Sequence, residues 1–254
     1  MELLLAMPVG HTPPPTRFGL LTAHMAYRIG NGPILLGIRL PEDLQGGLML
    51  VDCEGFDGLG DPLPCCSQIL GECRRRNYSG IVCDFDGEPT ECLKRMAETL
   101  DYQCAKEGWA LYVPERLAAH APAARVLIPS AVTNGSLERR LRVAMERYGA
   151  ARPVLAVEWL REDLPLPTDH RGESMTQLEL EDQIRRLQPA TFFDRGLCAN
   201  YYTYMAPGGQ AHFVLFDTPH SLRAKLSLCT RLGLPAVLMA APEVMGHLPA
   251  ILDA

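Results

Sequence analysis

The sequence lacks the signatures by which many enzyme classes are read. It has no G-x-S-x-G nucleophile elbow, no Walker loop and no dinucleotide-binding fingerprint. That removes the usual marks of α/β-hydrolases, P-loop NTPases and nicotinamide enzymes. No apolar run reaches the length of a membrane span, so no membrane partner is expected. Positive charge is in deficit, with 24 Lys and Arg against 30 Asp and Glu. The resulting net charge of −6 argues against a nucleic-acid surface. No C-x-x-C pair occurs among the nine cysteines, which argues against a zinc site. Their odd number and core-like positions suit reduced thiols in a cytoplasm better than a disulfide framework. The opening MELLLAMPVG carries an acid at position 2 and lacks the basic stretch of a signal peptide. It is expected to be a first strand of a cytoplasmic protein. Repeats, low-complexity tracts and linkers are also missing, so residues 1–254 are expected to form one domain with a sizeable core.

Strand-like and helix-like segments alternate along the chain, the pattern of a parallel sheet with crossover helices. Strands are predicted at 2–8, 33–39, 47–53, 80–86, 108–113, 124–129, 153–159 and 235–241. Helices are predicted at 15–29, 63–76, about 90–105 with Thr90 as N-cap, 137–148, 175–188, and from Ser221 to about 232. Asn134-Gly135-Ser136 marks the start of the 137–148 helix, whose stripe is Leu137, Leu141, Ala144 and Tyr148. Residues 163–173 read as a Pro-rich polar loop, and 200–205 with 211–216 as a β-hairpin around Ala206-Pro207-Gly208-Gly209. Eight strands with interposed helices predict a (β/α)₈ TIM barrel carrying a small inserted hairpin near 200–216. The PEDLQGG link between the second and third predicted strands is too short for a crossover helix. The barrel is therefore expected to be trimmed or rearranged there.

The most informative stretch is NYSGIVCDFDGEP, residues 77–89. An apolar run leads into Asp84, Asp86 and Glu88, spaced two residues apart. On a strand, Val82, Asp84 and Asp86 share one face, while Gly87 and Pro89 end the strand before Glu88 can join them. Carboxylates at the C-terminal end of a parallel strand sit where barrel enzymes place their chemistry. The competing reading is a solvated acidic turn before the next helix.

The segment NYYTYMAPGGQAHFVLFDTPHSLRAKLSLCTRLGLPAVLM resembles the glycoside hydrolase family 18 catalytic domain, in its spore-peptidoglycan branch. A Tyr-rich segment, a hairpin, and an acid followed by Ser and Lys carry the likeness, here Asp217, Ser221 and Lys225. Upstream, residues 174–187 and RPVLAVEW resemble that family's preceding helix and seventh strand, so the likeness spans roughly 60–245. The resemblance implies the D-G-x-D-x-D-x-E signature, whose Glu protonates the leaving glycosidic oxygen. Its last Asp holds the substrate's own acetamido group, whose carbonyl oxygen attacks the anomeric carbon.

The sequence departs from that signature. Aligned without gaps on Gly80, the last Asp is Asp84 and the acid Glu is shortened to Asp86, while Ser79 and Val82 replace the first two acids. A two-residue slide restores Asp84-x-Asp86-x-Glu88 but spoils the match of the flanking helix and strand. The ungapped version is preferred. Ser130 stands where the family's sixth strand carries a Tyr, and Ala240 where its eighth usually ends in a Trp. The resemblance therefore implies a degenerate member.

Asp52, Glu54 and Glu158 also fall at predicted C-terminal strand ends and would share the mouth. Asp84, Asp86 and Glu88 are the candidate catalytic residues, with Glu54, Glu158, Ser130 and Trp159 as candidate substrate contacts. Asp86 paired with Glu54 or Glu158 is one arrangement for hydrolysis; an oxygen-ligated Mg²⁺ or Ca²⁺ is less favoured, and no metal or cofactor is assigned. Trp109, Tyr112, Tyr201, Tyr202 and Tyr204 are read as packing rather than sugar platforms, and His120, His170, His212 and His220 as surface residues. The expected partner is a glycan. The expected function is binding or weak hydrolysis of an N-acetylglucosamine-containing glycan such as peptidoglycan. The alternative is a non-catalytic binding or scaffold protein tied to spore formation. The oligomeric state stays open.

Overall fold

The computed structural model describes residues 1–42, 44–132, 135–167 and 172–253. Eight parallel strands close into a barrel. In chain order they are β1 (Glu2–Pro8), β2 (Leu20–Gly30), β4 (Leu48–Asp52), β5 (Gly80–Asp84), β6 (Ala110–Pro114), β7 (Arg125–Pro129), β8 (Pro153–Ala156) and β14 (Ala236–Ala240). Pairing runs through this order and is closed by β14 against β1. The (β/α)₈ reading therefore holds, and all eight strands are present.

What is trimmed is the helical layer. Helices α1 (Leu63–Arg76), α2 (Glu91–Glu107) and α3 (Leu137–Tyr148) cover the units after β4, β5 and β7. Among the described residues, the links after β1, β2 and β6 hold no α-helix; those after β1 and β6 contain only single 3-10 turns, at Thr16–Phe18 and Glu115–Leu117. The predicted helix at 15–29 is instead barrel strand β2. This strand is only partly buried, and a register shift between Met25 and Tyr27 interrupts its two-residue alternation. The predicted second strand is β3 (Ile34–Gly37), which folds back antiparallel on β2 outside the barrel. That hairpin and a loop make the crossover for which PEDLQGG was too short.

The interior is filled from inward positions of every strand, among them Leu4, Ala23, Leu48, Val82, Tyr112 and Val154. At the N-terminal ends of the strands, Arg125 donates to Glu2 Oε2 (2.9 Å) and to the Tyr112 hydroxyl (3.0 Å). Outside the wall, β4 and β5 pack on α1 and α2 through Ile69, Cys73, Met96 and Leu100. All nine cysteines are free and buried. Burial pushes the Cys66, Cys104 and Cys229 thiols up to about 12, so they behave as small apolar groups.

The helix starts follow their caps. Thr90 accepts from Leu93 N and Ser136 from Arg139 N. Helices α4 (Gln177–Leu187) and α5 (Pro219–Leu232) both open on capping boxes, Thr176 with Glu179 and Thr218 with Ser221. Ser221 is thus the returning partner of the cap rather than the cap itself.

Between β8 and β14 the chain inserts a five-stranded antiparallel sheet, larger than the predicted hairpin. It consists of β9 (Arg161–Leu166), β10 (Glu173–Ser174), β11 (Phe192–Asp194), β12 (Ala199–Met205) and β13 (Ala211–Phe216). The hairpin at 200–216 is its β12–β13 pair. Alternation splits its faces: Tyr202, Val214 and Phe216 pack with Leu180 of α4, while Ala199 and Leu215 pack with Leu160. The short helices α6 (Ala241–Val244) and α7 (Leu248–Leu252) close the chain. Asn134 and His170 lie outside the described residues. No helix among the described residues is long and apolar enough to cross a membrane.

Candidate active site

The mouth is built around β5. Its first residue must be small: a Cβ on Gly80 would lie 2.3 Å from the carbonyl oxygen of Ala110 on β6. Val82 then points into the barrel, whereas Cys83 and Phe85 point out into the layer against α1 and α2. Alternation therefore aims Asp84 and Asp86 into the mouth, and both line one open cavity of about 950 Å³ with Glu158. Its barrel floor is aliphatic, from Ala6, Met25, Leu50, Ala156, Leu238 and Ala240.

Register brings a further acid to the same row. Asp52 on β4 is the direct partner of Asp84 on β5, and Arg28 on β2 is the partner of Asp52. Arg28 donates to Asp52 Oδ1 and Glu54 Oε2, each at 2.8 Å. The Asp52 charge is thus offset, and among the described residues no cation pairs with Asp84. Solvent reaches Asp84 through the open mouth, but the barrel encloses its other sides. That burial, with Asp86 and Asp52 beside it, pushes its carboxyl up to about 6. Burial also raises the Glu158 carboxyl, aided by Glu162 and Asp86 and opposed by a 3.3 Å hydrogen bond from Ala131 N.

This arrangement has a stability signature. The folded-state pKa of Asp84 lies above the unfolded value of about 3.9. Between about pH 4 and 6 the folded protein therefore binds more protons, and its stability falls as pH rises through that window. Asp84→Asn removes the charge in a similar shape. The variant is expected to be more stable than wild type at pH 7 and equal to it near pH 4, as measured by denaturant unfolding. A gap that does not change with pH would sink this account.

The other candidates lie elsewhere. Glu88 is fully exposed on the rim, 4.0 Å from Arg116. Glu54 is exposed, paired with Arg28, and does not line the cavity. Ser130 is buried; its hydroxyl donates to Glu158 O (3.3 Å) and accepts from Glu158 N (3.0 Å), tying the end of β7 to the segment after β8. Trp159 stacks on His247, with ring centres 5.4 Å apart, and is not among the cavity residues. The structure brings together Asp84, Asp86 and Glu158, and leaves Glu54, Glu88, Ser130 and Trp159 outside that group.

Two features escaped the sequence reading. Arg28 was hidden inside a segment expected to be helical. His212, expected at the surface, is largely buried under α4: its Nδ1 lies 2.7 Å from Asp163 Oδ1, and the Tyr204 hydroxyl donates to Asp163 Oδ2 at 2.6 Å. Alternation on β12 and β13 would have placed Tyr204 and His212 on one face. The mouth is braced from behind by Asp217, which accepts from Lys225 Nζ (2.6 Å), Ser221 Oγ (2.6 Å) and Leu160 N (3.0 Å). Among the described residues, no group of three or more His, Cys, Asp or Glu side chains is placed to hold a metal ion.

No protein-family model matches the sequence, and no curated protein matches it. Solved structures do match. A chitinase from Chromobacterium violaceum superposes with a TM-score of 0.65 at 18% identity, over 94% of this chain and 93% of that one. A family 18 chitinase from Cycas revoluta in complex with (GlcNAc)₃ gives 0.65 at 10% identity, over 100% and 98%. The spore cortex-lytic enzyme SleL of Bacillus megaterium gives 0.64 at 13% identity, over 94% and 70%. The chain therefore shares its barrel fold with family 18 chitinases and a spore cortex-lytic enzyme.

Proposed function

We propose that this protein binds, and slowly hydrolyses, an N-acetylglucosamine-containing glycan such as peptidoglycan. The observation that carries the reading is the convergence of Asp84, Asp86 and Glu158 on one open cavity, with Asp84 held near pKa 6. Neighbouring carboxyl groups that can hold a proton near neutral pH are what glycoside chemistry draws on. Fold likeness to chitinases and to a spore cortex-lytic enzyme supports the substrate class. In this reading the substrate's acetamido group sits against Asp84. Its carbonyl oxygen forms a bond to the anomeric carbon while the bond to the leaving oxygen breaks. Asp86 gives its proton to that oxygen. Water then opens the resulting ring and returns a proton to Asp86.

Two observations favour a second reading, a non-catalytic glycan-binding barrel. The cavity floor is aliphatic, so stacking on a sugar face is weak there. Asp86 is also one methylene shorter than a Glu acid. Calorimetric titration and product analysis with chito-oligosaccharide and muropeptide fragments, on wild type and Asp86→Ala, separate the two. Turnover that disappears in the variant while binding stays is the expected result. Binding without turnover, unchanged in the variant, selects the binder. No binding to any glycan overturns both.

A further inference from the structure

The cavity extends beyond the mouth. Along the outer wall it runs from Arg116 and Ala119, after β6, to Arg147 and Tyr148 at the end of α3 and Arg152 just before β8. This is the flank where a (β/α) unit would lay a helix. The link from β6 to β7 has only the turn Glu115–Leu117 there, so the wall between the units carrying α2 and α3 stays open. The missing helix makes this outer arm.

The arm has a charge opposite to that of the protein. Arg147 and Arg152 flank the Tyr148 ring, at 5.2 and 5.7 Å from its centre. Arg152 donates to the carbonyl oxygens of Ala124 (2.7 Å), Ala121 (2.8 Å) and Ala118 (3.2 Å). Carbonyls satisfy its donors without cancelling its charge. Glu115 is the carboxylate lining this arm; it is occupied by Arg140 and by the Tyr148 hydroxyl at 3.2 Å. Nearby Glu98 is engaged by His120 at 2.8 Å. Among the described residues, neither Arg147 nor Arg152 has a carboxylate partner within salt-bridge distance. One cavity thus joins a carboxylate mouth to a guanidinium arm, in a chain of net charge −6.

A neutral sugar chain does not use such an arm. We infer that the arm is a subsite for a carboxylate borne on the glycan: the lactyl ether of a muramyl sugar, or an acidic group of its peptide stem. Guanidinium groups pair with carboxylates through paired N–H donors, and partial enclosure in the cavity strengthens the pairing over that in bulk water. The inference rests on the glycan reading of the mouth.

The test is calorimetry with three ligands: neutral chitotetraose, a peptide-free N-acetylglucosaminyl–muramyl oligosaccharide, and the same oligosaccharide carrying its peptide stem. Wild type is compared with Arg147→Gln, which alters an exposed side chain, and with Arg116→Gln. Wild type should bind a carboxylate-bearing ligand more tightly than the neutral one, with the advantage shrinking as salt is raised. Arg147→Gln should remove roughly tenfold in affinity for that ligand and leave chitotetraose unchanged. A response with the peptide-free ligand assigns the lactyl carboxylate; a response confined to the stem-bearing ligand assigns the peptide. Equal binding of neutral and carboxylate-bearing ligands, or equal weakening of both in Arg147→Gln, overturns the subsite and leaves the glycan reading standing. If wild type binds none of the three, the glycan reading itself fails.

Discussion

An Asp217→Ala variant is expected to lose about 3–5 kcal/mol of stability, lowering the unfolding midpoint by roughly 10 °C. The side chains of Asp217 and Lys225 are both wholly inaccessible to solvent, and their pairing distance is 2.6 Å. Removing the carboxylate strands an ammonium group in a site closed to solvent, and the cost comes from that uncompensated charge. The Leu160 amide loses its acceptor as well, and the Ser221 hydroxyl is left with the Thr218 carbonyl oxygen at 2.8 Å. Lys225→Met should cost less, because Asp217 keeps those two donors. The double variant Asp217→Leu, Lys225→Met should recover part of the loss, since an apolar pair of similar volume strands no charge. Thermal and denaturant unfolding of the three variants checks the order. If Asp217→Ala unfolds within 2 °C of wild type, the pair contributes nothing and the bracing role given to it is wrong. The consequence would reach the mouth, because Leu160 is two residues from Glu158 and hangs from Asp217.

The parts of this architecture visible in the sequence are those with a local cause. Helix α3 was expected at 137–148 because Leu137, Leu141 and Ala144 repeat on one face, and they are buried as that spacing requires. Thr90 announces α2 through its hydroxyl. The shared face of Val82, Asp84 and Asp86 follows from two-residue alternation alone. The parts that were not visible depend on distant chain. β2 mixes Thr22, His24 and Arg28 with its apolar residues and shifts register between Met25 and Tyr27, so it shows no clean two-residue period. The Asp52–Asp84 neighbourhood is a matter of register between β4 and β5, which no local pattern encodes. Ser130 was assigned by alignment to a substrate-facing position, and its hydroxyl is instead taken by the backbone of Glu158. β9 contains Pro165 and is only half-buried, so its sequence reads as loop.

Asp86→Glu is expected to raise glycan hydrolysis roughly a hundredfold over wild type. Asp86 follows the end of β5 by two residues, on the face that carries Asp84 into the mouth. From that backbone position an Asp carboxyl falls short of a Glu carboxyl by one methylene, about 1.5 Å of reach. A proton donor misplaced by about an ångström loses about two orders of magnitude in rate. Space for the longer side chain exists, because Asp86 is exposed to an open cavity. The gain should appear as a faster bond-breaking step at unchanged affinity, because the acid acts on the leaving oxygen and need not improve ground-state binding. Release of a chromophore from an aryl chito-oligosaccharide, with calorimetric affinities alongside, measures both quantities. The faster variant should still depend on Asp84, so Asp84→Ala placed on top of Asp86→Glu should cancel the gain. If Asp86→Glu binds the oligosaccharide like wild type yet shows no more turnover, a missing methylene is not what limits the site. The aliphatic floor would then be the deciding feature, and the barrel would be a glycan-binding protein rather than a slow hydrolase.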